Sequence, residues 1–203
     1  KVADAVFHIR GVSESNEYIN ITVKATNGAT EPVLSKGASI TISDGVLKLT
    51  GIPAGVYEIT EVSAPPHYSV AVGKNSQSVR VENNAEVHPK VTFENQPYGS
   101  LTIRKIDAQT QETLAGFYFQ VINHTTGFEQ TVETGKNGEV TIEDLTEGSY
   151  EVKELAARFD YILDATPQIG EVDWGKETVV VMKNKKKPSV EIKKIDAETS
   201  EPI

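Results

Sequence analysis

The chain has 203 residues, among them 20 Lys and Arg, 29 Asp and Glu, and no cysteine. A net charge of −9 argues against a nucleic-acid-binding protein, which needs a basic face. The absence of cysteine excludes disulfides, thiolate metal sites and a cysteine nucleophile. The four histidines lack the spacing of metal ligands, so we expect neither a metal site nor a cofactor. No apolar run approaches the roughly 18 residues that a membrane-spanning helix needs, so we expect no membrane insertion.

Short β-strands separated by turns are predicted along the whole chain, and no convincing amphipathic helix interrupts them. Asp44-Gly45 and Asn137-Gly138 are dipeptides typical of hairpin turns. The clearest β-branched and aromatic runs are, in chain order, Ala38–Ile42, Val46–Leu49, Val56–Ile59, Tyr150–Val152 and Thr178–Met182. Roughly six to eight such strands in each stretch of about 90 residues predict an all-β, immunoglobulin-like sandwich.

The sequence repeats itself at an interval of about 90 residues. The matching segments are Ala5–Arg10 with Gly99–Arg104, Thr50–Val62 with Glu143–Leu155, Val91–Asn95 with Val180–Asn184, and Ser100–Thr110 with Ser189–Thr199. We therefore predict two tandem β-sandwiches, the first repeat at 1–97 and the second repeat at 98–187. Residues 188–203 are predicted to be the first strand of a third repeat, so we expect the chain to be a fragment of a longer array.

Three polar residues of the second repeat continue the apolar faces of predicted strands. Lys105, Glu154 and Asn184 each stand two positions beyond an apolar residue, and alternate residues of a strand share a face. A strand that ends there and turns its side chain into water would explain any one of them. Glu61 and Asn95 repeat the pattern in the first repeat, however, and an unpaired buried charge costs several kcal/mol. We therefore expect these side chains to meet in the core.

A lysine, a carboxyl group and an asparagine that meet in a core can form a covalent bond. Burial lowers the pKa of a lysine amine and so favours its nucleophilic, deprotonated form. A buried carboxylic acid keeps its proton, hydrogen-bonds the asparagine carbonyl and shuttles protons. Attack of the amine on the amide carbon expels ammonia and leaves an amide between the two side chains. Each site reacts once, so we expect self-modification and not an enzyme with turnover.

The order of these motifs resembles the Cna-B-type, prealbumin-like repeat of Gram-positive surface adhesins and pilins. That repeat has a lysine followed closely by Asp, then a strand of the form Gly-x-Tyr-x-hydrophobic-x-Glu, and a last strand that ends in Asn. The corresponding segments are Lys105–Asp107, Gly148–Glu154 and Met182–Asn184 in the second repeat, and Gly55–Glu61, Ala64–Tyr68 and Phe93–Asn95 in the first. The resemblance covers nearly the whole chain and implies prealbumin-like β-sandwiches.

For the second repeat, the resemblance implies an intramolecular isopeptide bond between Lys105 and Asn184, with Glu154 as the catalytic acid. For the first repeat it implies Glu61 as the acid and Asn95 as the acceptor, with an uncertain partner lysine.

The lysine of the first repeat is not at the expected place, because Gly11 stands at the position aligned with Lys105. Lys1 and Lys24 are the alternatives by proximity in sequence. Lys194 aligns with Lys105 and is the lysine of the truncated third repeat. Its strand is expected either to fray or to fill an open sheet edge in another molecule.

The function that follows is that of a structural stalk or pilus-like segment on the surface of a Gram-positive bacterium, with the cell-wall anchor outside this fragment. The expected partners are the neighbouring repeats of a longer protein. The alternative is an adhesin whose repeats bind a host protein or glycan, and a third class is an accessory module of a secreted carbohydrate-active enzyme. The fold by itself does not separate these functions.

Overall fold

The computed structural model describes residues 4–25, 39–43, 45–70, 73–84 and 88–203. Within these ranges the chain forms strands and turns and no helix. The positions named above that lie outside the described residues are Lys1, Ala38 and Asp44. The prediction of an all-β fold made of tandem β-sandwiches is confirmed.

The first repeat is built on a four-stranded antiparallel sheet of order β2-β1-β5-β7. Two small pairs, β3 with β4 and β6 with β8, accompany this sheet. The strands are β1 Val6–Ser13, β2 Tyr18–Lys24, β3 Ser39–Ser43, β4 Val46–Thr50, β5 Gly55–Ser63, β6 Tyr68–Ser69, β7 Ser76–Val81 and β8 Gln96–Pro97. Phe7 and Ile9 on β1 are buried with Val23 on β2, and Phe93 packs against Phe7 with its ring centroid 5.4 Å away.

The second repeat contains two sheets, of order β11-β10-β13-β14 and β12-β9-β15. The strands are β9 Gly99–Asp107, β10 Tyr118–Asn123, β11 Phe128–Glu133, β12 Glu139–Leu145, β13 Gly148–Ala156, β14 Gln168–Val172 and β15 Glu177–Asn184. Its core contains Leu101, Ile103, Phe119 and Val152, all fully buried. The alternation of buried and exposed residues along β13 and β15 is the pattern of strands with one face toward a core.

The first and last strands of the second repeat are neighbours. β9 and β15 pair in parallel over eight residues, from Glu177 opposite Ser100 to Asn184 opposite Asp107. The backbone amide of Ala108 donates to the carbonyl oxygen of Asn184 at 2.9 Å, just beyond the paired segment. The ends of β9 and β15 that carry Lys105 and Asn184 are therefore held side by side.

The strand registers correct one alignment made from the sequence. Ala5–Arg10 was matched with Gly99–Arg104, which places β1 on β9. The structure instead gives β1 the position that β10 has in the second repeat. Phe7 pairs with Glu61 as Phe119 pairs with Glu154. In both strand pairs the register shifts directly before this phenylalanine, between Val6 and Phe7 and between Tyr118 and Phe119.

The match of Gly11 with Lys105 is consequently wrong. Gly11 lies on β1 opposite Tyr57, and a Cβ atom added there would overlap the carbonyl oxygen of Val56. No side chain fits at that point of the sheet. Among the described residues, the first repeat contains no counterpart of β9.

The chain divides into two compact units, and the main boundary between them in the sequence lies between Gly99 and Ser100. Residues 188–203 form no strand and contain one isolated bridge, between Ile195 and Pro202.

Candidate cross-link site

Three strands of the second repeat bring Lys105, Glu154 and Asn184 together. Lys105 lies near the end of β9, Glu154 near the end of β13, and Asn184 is the last residue of β15. Their relative exposures are 0%, 1% and 1%. The alternation of each strand turns these residues to the inside, because each stands two positions beyond a buried core residue.

The three side chains form a closed ring of hydrogen bonds. The Lys105 amine donates to Glu154 Oε2 at 2.8 Å and to Asn184 Oδ1 at 2.5 Å. Asn184 Nδ2 donates to the other carboxyl oxygen, Glu154 Oε1, at 2.6 Å. The carboxyl group of Glu154 thus bridges the lysine amine and the asparagine amide.

The surroundings favour a neutral amine. Burial lowers the pKa of Lys105, while the hydrogen bond and charge of Glu154 and the charge of Asp164 oppose this effect. The rings of Phe117 and Phe119 lie 5.0 and 5.7 Å from Nζ, measured to their centroids, and exclude water from this side. Transfer of one proton from Nζ to Oε2 along their hydrogen bond converts the ion pair into a neutral amine and a neutral acid.

The geometry assigns Glu154 a different contact from the one expected. The sequence-based mechanism placed the acid on the asparagine carbonyl, whereas here the Lys105 amine contacts Oδ1 and Glu154 contacts Nδ2. A carboxylic acid at this point could protonate the amide nitrogen if that nitrogen were to leave as ammonia. The amine lies beside the same amide group, so a nucleophile and a proton donor would reach one acceptor together.

Asp107 and Tyr161 support the end of β9, and the sequence reasoning did not assign them this role. The Tyr161 hydroxyl donates to Asp107 Oδ2 at 3.0 Å, and Asp107 Oδ1 accepts from the backbone amides of Gln109 and Thr110. Hydrogen bonds from these two amides hold the pKa of Asp107 below its usual value. The Lys-x-Asp spacing was the available signal, because it places a turn-forming aspartate two residues after the lysine.

The first repeat brings together an acid and an amide of the same kinds. Asn95 Nδ2 donates to Glu61 Oε2 at 2.7 Å and to the backbone oxygen of Ser69 at 3.1 Å. Glu61 is 1% exposed, and burial raises the pKa of its carboxyl group although the Asn95 hydrogen bond opposes this. We call Glu61 and Asn95 the half-site of the first repeat.

The structure does not bring a lysine to this half-site within the described residues. Lys24 lies at the end of β2 with its side chain exposed, and its amine is 3.2 Å from Asp4 Oδ1. Lys194 is also exposed.

Comparison with known protein families identifies the fold. The model of the family described as SpaA, prealbumin-like fold domain, matches residues 1–97 and again residues 99–186. The chain belongs to this family. Each repeat is thus one prealbumin-like domain, and the resemblance to Cna-B-type repeats of Gram-positive surface proteins is confirmed.

Solved structures with similar folds include several pilins. A streptococcal ancillary pilin is 23% identical, with a TM-score of 0.44, over 93% of this chain and 59% of that one. A variant of the shaft pilin SpaA from Lactobacillus rhamnosus GG is 13% identical, with a TM-score of 0.50, over 93% and 89%. The Bacillus anthracis TIE protein is 20% identical, with a TM-score of 0.41, over 91% and 35%. No curated protein matches the chain in sequence.

At these identities the likeness concerns the fold alone. The chain spans 59% of the ancillary pilin and 35% of the TIE protein. No helix among the described residues is long and apolar enough to cross a membrane. In the same part of the chain, the prealbumin-like domains contain no group of three or more His, Asp or Glu side chains arranged to hold a metal ion.

Proposed function

We propose that this chain is a load-bearing stalk segment of a Gram-positive surface or pilus protein. We further propose that its second repeat locks itself with an isopeptide bond between Lys105 and Asn184. The observation that carries the proposal is the buried ring of hydrogen bonds among Lys105, Glu154 and Asn184. Membership of the prealbumin-like family supports the same conclusion. In this proposal Glu154 acts once, as the acid and base of a self-modification, and the protein is not an enzyme with turnover.

The reaction balances within the site. Lys105 Nζ passes a proton to Glu154, and its lone pair attacks Asn184 Cγ. The tetrahedral intermediate collapses when Glu154 gives this proton to Nδ2, and ammonia leaves. Glu154 then takes the second proton from Nζ, so the products are the amide, ammonia and a neutral carboxylic acid. An Nζ–Cγ amide replaces the Cγ–Nδ2 bond, so the chain loses about 17 Da, the mass of ammonia.

The position of the bond suits a protein under tension. β9 and β15 run in parallel at the start and the end of the repeat, so a pull on the two chain ends shears their ladder. A bond between Lys105 and Asn184 carries the load from one strand directly to the other. The segment between these residues, 79 positions long, then carries no load and is not extended by the pull.

Intact mass tests the chemistry. The wild-type chain is expected to be about 17 Da lighter than its sequence mass, and Lys105→Ala or Asn184→Ala is expected to restore the full sequence mass of each variant. Lys183→Ala is the matched control, because Lys183 is next to Asn184 but exposed. A loss that persists in Lys105→Ala would show that the second repeat does not use this lysine.

Single-molecule pulling tests the mechanical role. Without the bond, unfolding of the second repeat releases the 79-residue segment, or about 270 Å at roughly 3.4 Å per residue. The wild-type repeat is expected to lack this step, and Glu154→Gln is expected to show it. A bonded wild-type chain that still extends by this length would refute the load path.

Partners and location belong to the same proposal. The neighbouring repeats of a longer protein are the expected partners, and the bacterial surface is the expected location, with the anchor outside this chain. The adhesin function stays a prediction. Binding of the purified chain to immobilised extracellular-matrix proteins and glycans is the measurement that checks it.

A further inference from the structure

A cavity of about 270 Å³ lies beside the cross-link site of the second repeat. It is lined by three residues of β15 and by three residues of the segment that leads into β14, namely Val181, Met182, Lys183, Asp164, Thr166 and Gln168. β14 and β15 are edge strands of the two different sheets, and they lie close together. The cavity therefore opens on the side of the sandwich where these two edges meet.

Met182 connects the cavity with Lys105. The parallel register of β9 and β15 sets Met182 opposite Lys105, and the two side chains are 4% and 0% exposed. Met182 also stands two positions before Asn184, on the same face of β15. The wall that β15 gives to the cavity is thus the part of this strand that neighbours the lysine and the asparagine of the hydrogen-bonded ring.

Asp164 is the acidic residue of the cavity. Its side chain is exposed, and its Oδ1 accepts a hydrogen bond from the backbone amide of Thr166 at 3.0 Å. Hydrogen bonds from Thr166 hold the pKa of Asp164 below its usual value, and the charge of Lys105 acts in the same direction. Asp164 is therefore negatively charged at neutral pH, at the rim of a cavity that lies beside the lysine.

Two carboxylates act on the Lys105 amine, and they do so in different ways. Burial lowers the pKa of Lys105, whereas the hydrogen bond and charge of Glu154 and the charge of Asp164 raise it. Glu154 touches the amine at 2.8 Å and can take its proton, while Asp164 acts through its charge. The rings of two phenylalanines and the Asn184 amide, which also surround the amine, carry no charge.

The charge of Asp164 opposes the reaction. It stabilises the ammonium form of Lys105, and an ammonium group has no lone pair with which to attack an amide. The same charge offsets part of the cost of burying an ammonium group in the folded chain before the bond exists. A carboxylate at this place therefore stabilises the unlinked fold and disfavours the nucleophilic amine.

We propose that Asp164 is a positioning residue of the cross-link site, which keeps the Lys105 amine in its charged form and thereby slows formation of the bond to Asn184. This inference rests on the proposed cross-link. Asp164 gives no atom and no proton to the reaction, whose balance stays within Lys105, Glu154 and Asn184. Loss of the Asp164 charge is therefore expected to make the reaction faster, whereas loss of the Glu154 carboxyl group is expected to stop it.

The rate of ammonia loss tests this proposal. The 203-residue chain is prepared by chemical synthesis and kept unfolded in urea, so that it starts at its full sequence mass. Dilution starts folding, which circular dichroism follows, and samples quenched in acid report the loss of about 17 Da by intact mass. At neutral pH, Asp164→Asn is expected to lose ammonia about two to five times faster than the wild type, the effect of one exposed charge on a nearby one.

Three further variants separate the charge from the local turn. Asparagine keeps the Oδ1 atom that accepts from Thr166, so Asp164→Asn removes only the charge. Asp164→Ala removes both the charge and this hydrogen bond and is expected to react as fast as Asp164→Asn. Asp164→Glu keeps the charge and is expected to stay near the wild-type rate. Glu151→Gln is the matched control, because it removes a charge from the other face of β13, and it is expected to react like the wild type.

The pH dependence distinguishes an effect of charge from an effect on folding. The rate is expected to fall at both acid and alkaline pH, because the amine must give up a proton that Glu154 must hold. Asp164→Asn is expected to gain rate at neutral and mildly acid pH, where the wild-type amine keeps its proton. At alkaline pH the amine of both chains has lost its proton, so the two rates are expected to converge. A merely structural role would change the rate by the same factor at every pH.

Several results would overturn this proposal. They are an Asp164→Asn chain that reacts at the wild-type rate or more slowly, a gain that is equal at every pH, and a gain in Asp164→Ala that Asp164→Asn does not share. The last result would assign the effect to the turn at Thr166. A wild-type chain that folds and never loses ammonia refutes the proposed function, whereas a loss that depends on Lys105 but not on the charge of Asp164 refutes the present inference alone.

Discussion

Replacement of Glu154 by Gln is expected to leave Lys105 and Asn184 unlinked. Glutamine has nearly the same shape as glutamate, but it can neither accept the proton from Nζ nor return one to Nδ2. Both neighbours donate hydrogen bonds to the Glu154 carboxyl group, so the amide NH₂ of Gln faces a donor on one side. The variant is therefore expected to keep its full sequence mass and to be less stable than the bonded wild type.

The loss of stability follows from the loop that the bond closes. For a loop of 79 residues, the chain-entropy relation used for disulfides gives about 4.5 kcal/mol. For a domain of this size, 1 kcal/mol corresponds to a change in Tm of about 4–8 °C, so a decrease of about 20–35 °C is expected for the second repeat. The buried amine, left without a carboxylate, adds to this decrease.

Calorimetry and intact mass together check this prediction. Glu151→Gln is the matched control, because Glu151 lies on the same strand but not on the buried face, and it is expected to keep both the mass loss and the Tm. A Glu154→Gln chain that still loses about 17 Da would refute the role of this residue as the acid. A chain that lacks the bond but melts at the wild-type temperature would refute the stabilisation estimated from loop closure.

Three further predictions concern other parts of the two repeats. Burial raises the pKa of Glu61, so the folded state holds a proton that the unfolded chain releases near pH 4.5, and the free energy of unfolding falls as pH rises above that value. In urea titrations above pH 4.5, Glu61→Gln is expected to show a weaker fall than the wild type. Gly138→Ala is expected to destabilise the second repeat by about 2 kcal/mol or more, since φ is +75° and the new Cβ would lie 2.7 Å from the Leu114 nitrogen; an unchanged denaturation midpoint would contradict this. Tyr161→Phe is expected to cost about 1–2 kcal/mol in the same assay by removing the hydrogen bond to Asp107, while the mass loss remains.

The sequence predicted the second repeat better than the first for a physical reason. In the second repeat, Lys105, Glu154 and Asn184 each continue a clear two-residue alternation, so the inward direction of each side chain followed from strand geometry. In the first repeat, Phe7 and Ile9 show the same alternation, and the sequence alignment therefore places them at positions of β9. Alternation is the same in every half-buried strand, so it does not identify which strand of the fold a segment forms. Only the register opposite Glu61 distinguishes β1 as the counterpart of β10.

The sequence by itself determined the all-β class, the two tandem repeats and the residue types of the candidate cross-link, because local periodicity and repetition are properties of the chain. The tertiary structure decided which atoms meet. It set the Glu154 carboxyl group against the asparagine nitrogen and not the carbonyl oxygen, and it placed Asp107 and Tyr161 behind the end of β9. These features depend on pairing between strands far apart in sequence, which no local pattern encodes.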